Sequence, residues 1–144
     1  YGTEVLMNGT KEITDGYVRK DFPGGFPGDT HNAFTAEGRT KAENAMFNWL
    51  SRLLHWRKGN SVITKGSQTQ FIPYQGVYVI ARQYNGRTVL TVLNGKSTAA
   101  TMQVKRYAEV IGSNARVKDV LTNRYYDLSK DVELRPRQVL VLEY

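Results

Sequence analysis

The chain has 144 residues, with 20 Lys/Arg against 13 Asp/Glu for a net charge of +7. That length suits one domain with an appendage, and a hydrophobic content of 40% is ordinary for a folded chain. The absence of cysteine excludes disulfides, thiolate metal sites and cysteine nucleophiles, and no apolar run approaches the roughly 18 residues of a membrane span.

Most of the excess charge lies downstream, where residues 60–144 hold twelve Lys/Arg and six Asp/Glu. The basic residues there are scattered singly apart from Lys105-Arg106. A polyanion-binding stripe clusters its cations and interleaves aromatics on one face, so the pattern reads as solubility, with no nucleic-acid partner.

Taken in chain order, Tyr1–Met7 opens without a methionine, a leader or a capping signal, and it reads as strand-like. Residues 1–39 are otherwise loop-like. At their centre stands Asp21-Phe22-Pro23-Gly24-Gly25-Phe26-Pro27-Gly28-Asp29, whose two prolines and three glycines forbid a helix or a central strand. A helix then begins at Thr40, which with Glu43 forms a capping box. Ala42, Met46, Trp49, Leu53 and Trp56 recur at spacings of three and four and lie on one face, widened by Leu50 and Leu54. Arg57 and Lys58 suit the negative end of the helix dipole, and Gly59 is placed to stop the helix.

Beyond Asn60 the pattern changes to short strands, expected at Ser61–Thr64, Thr69–Pro73, Val77–Tyr84, Thr88–Leu93, Thr101–Lys105, Arg116–Leu121, Asp131–Leu134 and Val139–Glu143. Asn85-Gly86 between two of them is a strong type I′ hairpin signal, and Tyr107–Ile111 is expected to be a helical turn. Many short strands with turn residues between them mean a sandwich or barrel. The chain therefore divides near Gly59, into 1–59 and 60–144.

The order of loop, helix and sandwich, with Tyr1–Met7, Asp21–Asp29, Leu53-Leu54-His55-Trp56-Arg57-Lys58 and Phe71-Ile72-Pro73, resembles the end of an α-amylase superfamily enzyme. The family is glycoside hydrolase family 13, and the proline-glycine loop resembles its neopullulanase and cyclomaltodextrinase branch. The resemblance implies a mainly β fold. Residues 1–59 would be the remnant of a (β/α)8 barrel (end of strand eight, rim loop, helix eight), and 60–144 an antiparallel Greek-key β-sandwich, domain C.

It further implies a parent enzyme that cleaves α-1,4 glucosidic bonds of starch-derived oligosaccharides or cyclodextrins, with α-1,6 bonds left open. Retaining glycosidases need two carboxyl groups about 5–5.5 Å apart. In the family these come from strands outside this chain, so the chain alone is expected to be inactive, with no catalytic residue, metal or cofactor of its own. Asp15-Gly16-Tyr17-Val18-Arg19 resembles the family's Asp-Pro-x-x-Arg segment, with Gly16 in the proline position. By that resemblance Asp15 and Arg19 would hold a sugar's hydroxyls, the alternative being a surface ion pair that shapes the loop. Tyr17, Phe22 and Phe26 would offer flat apolar faces or else tuck against the barrel, and Glu4 would lie behind the substrate at the inner end of its strand. The parent's partner would be an α-glucan oligosaccharide, and its compartment, left open by composition, would be periplasmic or cell-envelope-associated. A helix face cut off from its barrel is expected to drive self-association through Met46, Trp49 and Leu50.

The competing reading is a carbohydrate-binding sandwich without catalysis, using Tyr74, Tyr78, Tyr84, Tyr125 and Tyr126 as platforms. Other motifs fail. Gly95-Lys96-Ser97 lacks the first glycine of a P-loop and reads as a hairpin turn. His31 and His55 have no acidic partner at metal-ligand spacing, and His55 falls on the polar side of the helix.

Overall fold

The computed structural model describes residues 1–113 and 116–144. The chain divides into two compact units, Tyr1–Trp56 and Arg57–Tyr144.

The first unit is a long loop followed by most of α1 (Lys41–Gly59). Its opening residues form a 3-10 turn, Thr3–Val5, between Gly2 and Leu6, both in the left-handed region at φ 79° and 57°. This overturns the strand expected at Tyr1–Met7. An extended strand needs negative φ throughout, whereas Met7 N–H here folds back to donate to Gly2 O at 2.9 Å. The capping box at Thr40 forms as expected: Thr40 N–H donates to Glu43 Oε2 at 2.7 Å, and Glu43 N–H donates to Thr40 Oγ1 at 3.3 Å. The apolar stripe of α1 has no fully buried residue. His55 lies exposed on the polar side and bonds Ser51 O within its own helix.

The second unit opens with a helix where a strand is expected. Ser61-Val62-Ile63-Thr64 has β-branched residues that favour strands, yet it forms α2 (Ser61–Lys65). Asn60, buried, caps it by accepting from Val62 N–H at 2.9 Å. At the other end, the Arg82 guanidinium donates to Ile63 O and Gly66 O, both at 3.2 Å. Val62 is fully buried where α2 packs on the sheet. One apolar anchor and two polar caps thus override a weak local preference.

The remaining elements are β1 (Ser67–Gln70), β2 (Val77–Tyr84), β3 (Arg87–Asn94), β4 (Ala100–Met102), a 3-10 turn at Val104–Tyr107 leading into α3 (Ala108–Ile111), β5 (Arg116–Asp119), β6 (Tyr125–Asp127), β7 (Val132–Leu134) and β8 (Val139–Glu143). The strand expected to run to Lys105 stops at Met102, and β6 has no counterpart among the expected strands. The helical turn expected at Tyr107–Ile111 is present. The β2–β3 hairpin turns at Asn85 and Gly86, with φ 50° and 74°, as a type I′ turn requires.

All pairings are antiparallel, in a six-stranded sheet ordered β1-β2-β3-β8-β5-β6 and a two-stranded sheet β4-β7. Insertion of the last strand between β3 and β5 is the Greek-key feature, and no loop shorter than the intervening chain could supply it. Alternate residues of the large sheet (Val77, Val79 and Ala81; Leu90 and Val92; Leu140 and Leu142) pack with Met102, Leu134, Tyr107 and Ile111 in one core. This is the mainly β sandwich that the sequence implies.

Candidate substrate-contact loop

The first unit's loop is closed by short-range hydrogen bonds. Asp29 Oδ2 accepts Gly24 N–H at 2.9 Å and Phe26 N–H at 3.1 Å, which folds the proline-glycine segment around one carboxylate. Ala33, buried, donates its N–H to Pro23 O at 2.9 Å. Gly38 admits no side chain, because a Cβ there would lie 1.9 Å from Asn32 O.

The loop is tied to the start of α1 at two points. Arg39 donates to Asn44 Oδ1 and to Ala33 O, with its guanidinium 3.9 Å from the centre of the Phe47 ring. His31 Nε2 lies 2.9 Å from Glu43 Oε2, the same oxygen that accepts from Thr40. The sequence reading gave His31 no acidic partner at metal-ligand spacing, and in the structure it pairs with Glu43, twelve residues away. Glu43 is held below its ordinary value, first by the Thr40 N–H and then by the Thr40 hydroxyl and His31. His31 and Glu43 border a cavity of about 210 Å³ together with Lys20, Asp21 and Met7. Among the described residues, no group of three or more His, Asp or Glu is arranged to hold a metal.

Of the residues singled out by sequence, Asp15 and Arg19 stand at the two ends of one 3-10 turn, Gly16–Val18. Both are exposed, and Asp15 makes no capping bond. Tyr17, between them, has Lys20 Nζ 3.9 Å above its ring centre. Phe22 stacks at a tilt on Phe34, with centroids 4.6 Å apart, so part of its apolar surface is already covered. Phe26 is more open, at 60% exposure. Glu4 sits in the first 3-10 turn rather than at a strand end, beside an apolar cavity of about 290 Å³ bordered by Phe47, Leu50, Leu54 and His55. Asp15 and Arg19 are thus brought to one turn, while Glu4 belongs to a different surface of the unit.

Among the tyrosines of the second unit, Arg106 covers Tyr74 at 4.1 Å and Arg116 covers Tyr125 at 4.2 Å. Tyr126 packs against the core. Nothing in their arrangement favours the reading as a sugar-binding platform.

The residues that hold this sandwich in register escaped the sequence reading. Asp119, with no exposed surface, accepts from Val141 N–H at 3.0 Å, Leu121 N–H at 3.3 Å and the Thr122 hydroxyl at 2.6 Å. Asn94, also buried, donates to Thr98 O and Arg135 O and accepts from Lys96 N–H. Both stand at strand ends in the sequence, and only the strand order reveals what they join.

The fold has clear relatives. An α-amylase from Geobacillus thermoleovorans, solved with acarbose, superposes with a TM-score of 0.68 at 20% identity, over 99% of this chain and 28% of its own. An Anoxybacillus α-amylase gives 0.65 at 14% identity, over 99% of this chain and 27% of its own. The maltogenic α-amylase AmyB from Thermotoga neapolitana gives 0.55 at 21% identity, over 71% and 26%. The chain thus spans about a quarter of the length of these relatives. The family model for the cyclo-malto-dextrinase C-terminal domain matches residues 68–143, the span from β1 to β8. With its two antiparallel sheets and this match, the chain belongs to the cyclo-malto-dextrinase C-terminal domain family.

Proposed function

We propose that this chain works as the C-terminal portion of a longer α-glucan hydrolase, cleaving α-1,4 glucosidic bonds in starch-derived oligosaccharides or cyclodextrins. The observation that carries the reading is the family match from β1 to β8, and the relatives of like fold are α-amylases. Residues 60–144 act as a non-catalytic stabilising domain. The chain alone turns over no glucan, because by the family resemblance the pair of facing carboxyl groups that glycoside cleavage needs comes from strands outside it. The nearest candidates do not supply one: Asp29 is engaged by two loop amides, and Asp15 sits on an exposed turn. Release of reducing ends from maltodextrin, cyclodextrin or pullulan by the purified chain, surviving removal of contaminating amylase, would overturn this reading.

Within that enzyme, Asp15 and Arg19 contact a glucose unit of the substrate, the carboxylate accepting from its hydroxyls and the guanidinium donating to them. Their exposure at the two ends of one turn supports the role. Tyr17, between them, and the exposed Phe26 offer apolar faces, whereas Phe22 contributes what its contact with Phe34 leaves free. Asp15→Ala or Arg19→Ala in the longer enzyme lowers kcat/KM on long oligosaccharides by roughly tenfold to a hundredfold. The loss is smaller on a substrate too short to reach that subsite. Equal losses on short and long substrates would remove both residues from the binding site. Self-association through Met46, Trp49 and Leu50, all half-buried, is read out by sedimentation of the chain at increasing concentration.

A further inference from the structure

Three turns meet at one end of the sandwich. The Tyr74–Val77 turn closes with bonds of 2.9 Å in both directions, with Gln75 and Gly76 at positive φ. Gly76 O accepts from Gly95 N–H at 2.8 Å, which joins this turn to the loop after β3. That loop is joined in turn to the β7–β8 turn. Arg137 N–H donates to Lys96 O at 3.0 Å, Asn94 N–H donates to Gln138 O at 2.9 Å, and the Asn94 amide donates to Arg135 O at 2.8 Å.

Lys96, Arg135 and Arg137 are scattered in sequence and collected by these bonds. Residues 74–76, 94–99 and 135–138 contain no Asp or Glu. A cleft of about 450 Å³ opens beside the β7–β8 turn, lined by Thr122, Arg135, Pro136, Arg137, Gln138 and Val139. The carboxylate nearest in sequence to this lining, Glu133, accepts from the Thr101 hydroxyl at 2.6 Å, and Asp119 is buried and already accepts from three protein donors. Gln138 is also committed, accepting from Arg135 N–H and donating to the Tyr126 hydroxyl.

The two arginines differ. Arg137 holds φ 54° at the third position of the turn, after Pro136, where glycine is the unstrained choice. Its guanidinium donates to Gly95 O, which fixes it over the loop after β3. The Arg135 guanidinium has no hydrogen-bond or ionic partner among the described residues. A planar fork with unspent donors, in a cleft that Arg137 also lines and whose lining holds no acid, has the chemistry of an oxyanion receptor.

We propose that this cleft binds an oxyanion, the phosphate or carboxylate group of a soluble ligand, between Arg135 and Arg137. The proposal does not depend on glycoside cleavage.

The test titrates the whole chain with inorganic phosphate at low salt, followed by calorimetry and amide NMR. Saturable one-to-one binding is expected, with shifts centred on Arg135–Val139 and Lys96. Arg135→Gln weakens it by about tenfold or more and leaves Tm unchanged, since that side chain bonds nothing. Arg137→Gly, which suits the positive φ, also loses affinity while remaining folded. Lys130→Gln, on a different turn and outside the lining, leaves the affinity within about twofold when the two chains are compared at about 0.15 M salt, where a charge is screened beyond about 8 Å. Glucose 6-phosphate and glucuronate extend the titration: tighter binding than phosphate by the first marks a phosphorylated sugar, by the second a carboxylated one, and equal affinities mark the free anion. Non-saturable binding, an Arg135→Gln variant with unchanged affinity, or an equal loss from Lys130→Gln overturns the proposal.

Discussion

The two units are stabilised by different means. In Tyr1–Trp56, only Val5 and Ala33 among the apolar residues are fully buried, whereas Arg57–Tyr144 contains a continuous core from Val77 to Leu142. The first unit keeps its shape through single side chains answering backbone groups: Asp29 on two amides, Glu43 on Thr40 and His31, Arg39 on Ala33. Each such bond contributes about 0.5–1.5 kcal/mol net, while burial of one leucine contributes about 1.5–3 kcal/mol. The same chain therefore pairs a loop held by polar bonds with a sandwich held by an apolar core.

The largest effect that sharpens this contrast is expected in the core. Leu90→Ala or Leu140→Ala, each removing a side chain with no exposed surface, should cost about 2–5 kcal/mol, measured by urea unfolding. Ile13→Ala in the first unit, 61% exposed, should stay within about 0.5 kcal/mol. Similar losses from the two changes would erase the distinction.

Next comes the buried carboxylate. Asp119→Ala strips the acceptor from Val141 N–H at the β5–β8 junction, and an orphaned buried donor costs about 1–3 kcal/mol. Faster amide exchange should appear at Val141 and Leu121 while the β2–β3 hairpin stays protected. Unchanged exchange at both amides would mean that water or another group already serves them.

A smaller effect is expected at the start of α1. Thr40→Ala removes one half of the capping box and should cost the helix about 1 kcal/mol, seen as faster exchange at Glu43 and Asn44. The same bonds set a pH dependence. Glu43 in the folded chain sits below its ordinary value of 4.5 because Thr40 and His31 favour its ionised form. The stabilisation it gives is therefore complete above about pH 4.5 and is lost as pH falls through the lower folded value. Amide exchange across Lys41–Asn44, corrected for its intrinsic pH dependence, should accelerate on acidification below pH 4.5, and Glu43→Gln should flatten that response. An unaltered acid profile in Glu43→Gln would assign the acid sensitivity to another group.

The sequence by itself determined whatever is decided within a few residues. Thr40 and Glu43 lie three apart, so their reciprocal bonds follow from helix geometry, and Asn85-Gly86 suits the positive φ of a two-residue hairpin. The β-rich run Val77–Tyr84 leading into Asn85-Gly86 marked a strand, and the structure gives those same boundaries. The ordered motifs that led to the α-amylase superfamily are likewise local strings. Tertiary structure decided what depends on distant partners. Ser61–Lys65 is helical because Arg82 and the sheet meet it there, against its own preference for strand. Asp119 is buried because β8 returns beside β5. His31 meets Glu43, and Arg135 meets Asn94 across 41 residues, only after the chain has closed on itself. Local spacing specifies geometry up to about one helical or hairpin turn, and beyond that range the register of packed strands determines which side chains become neighbours.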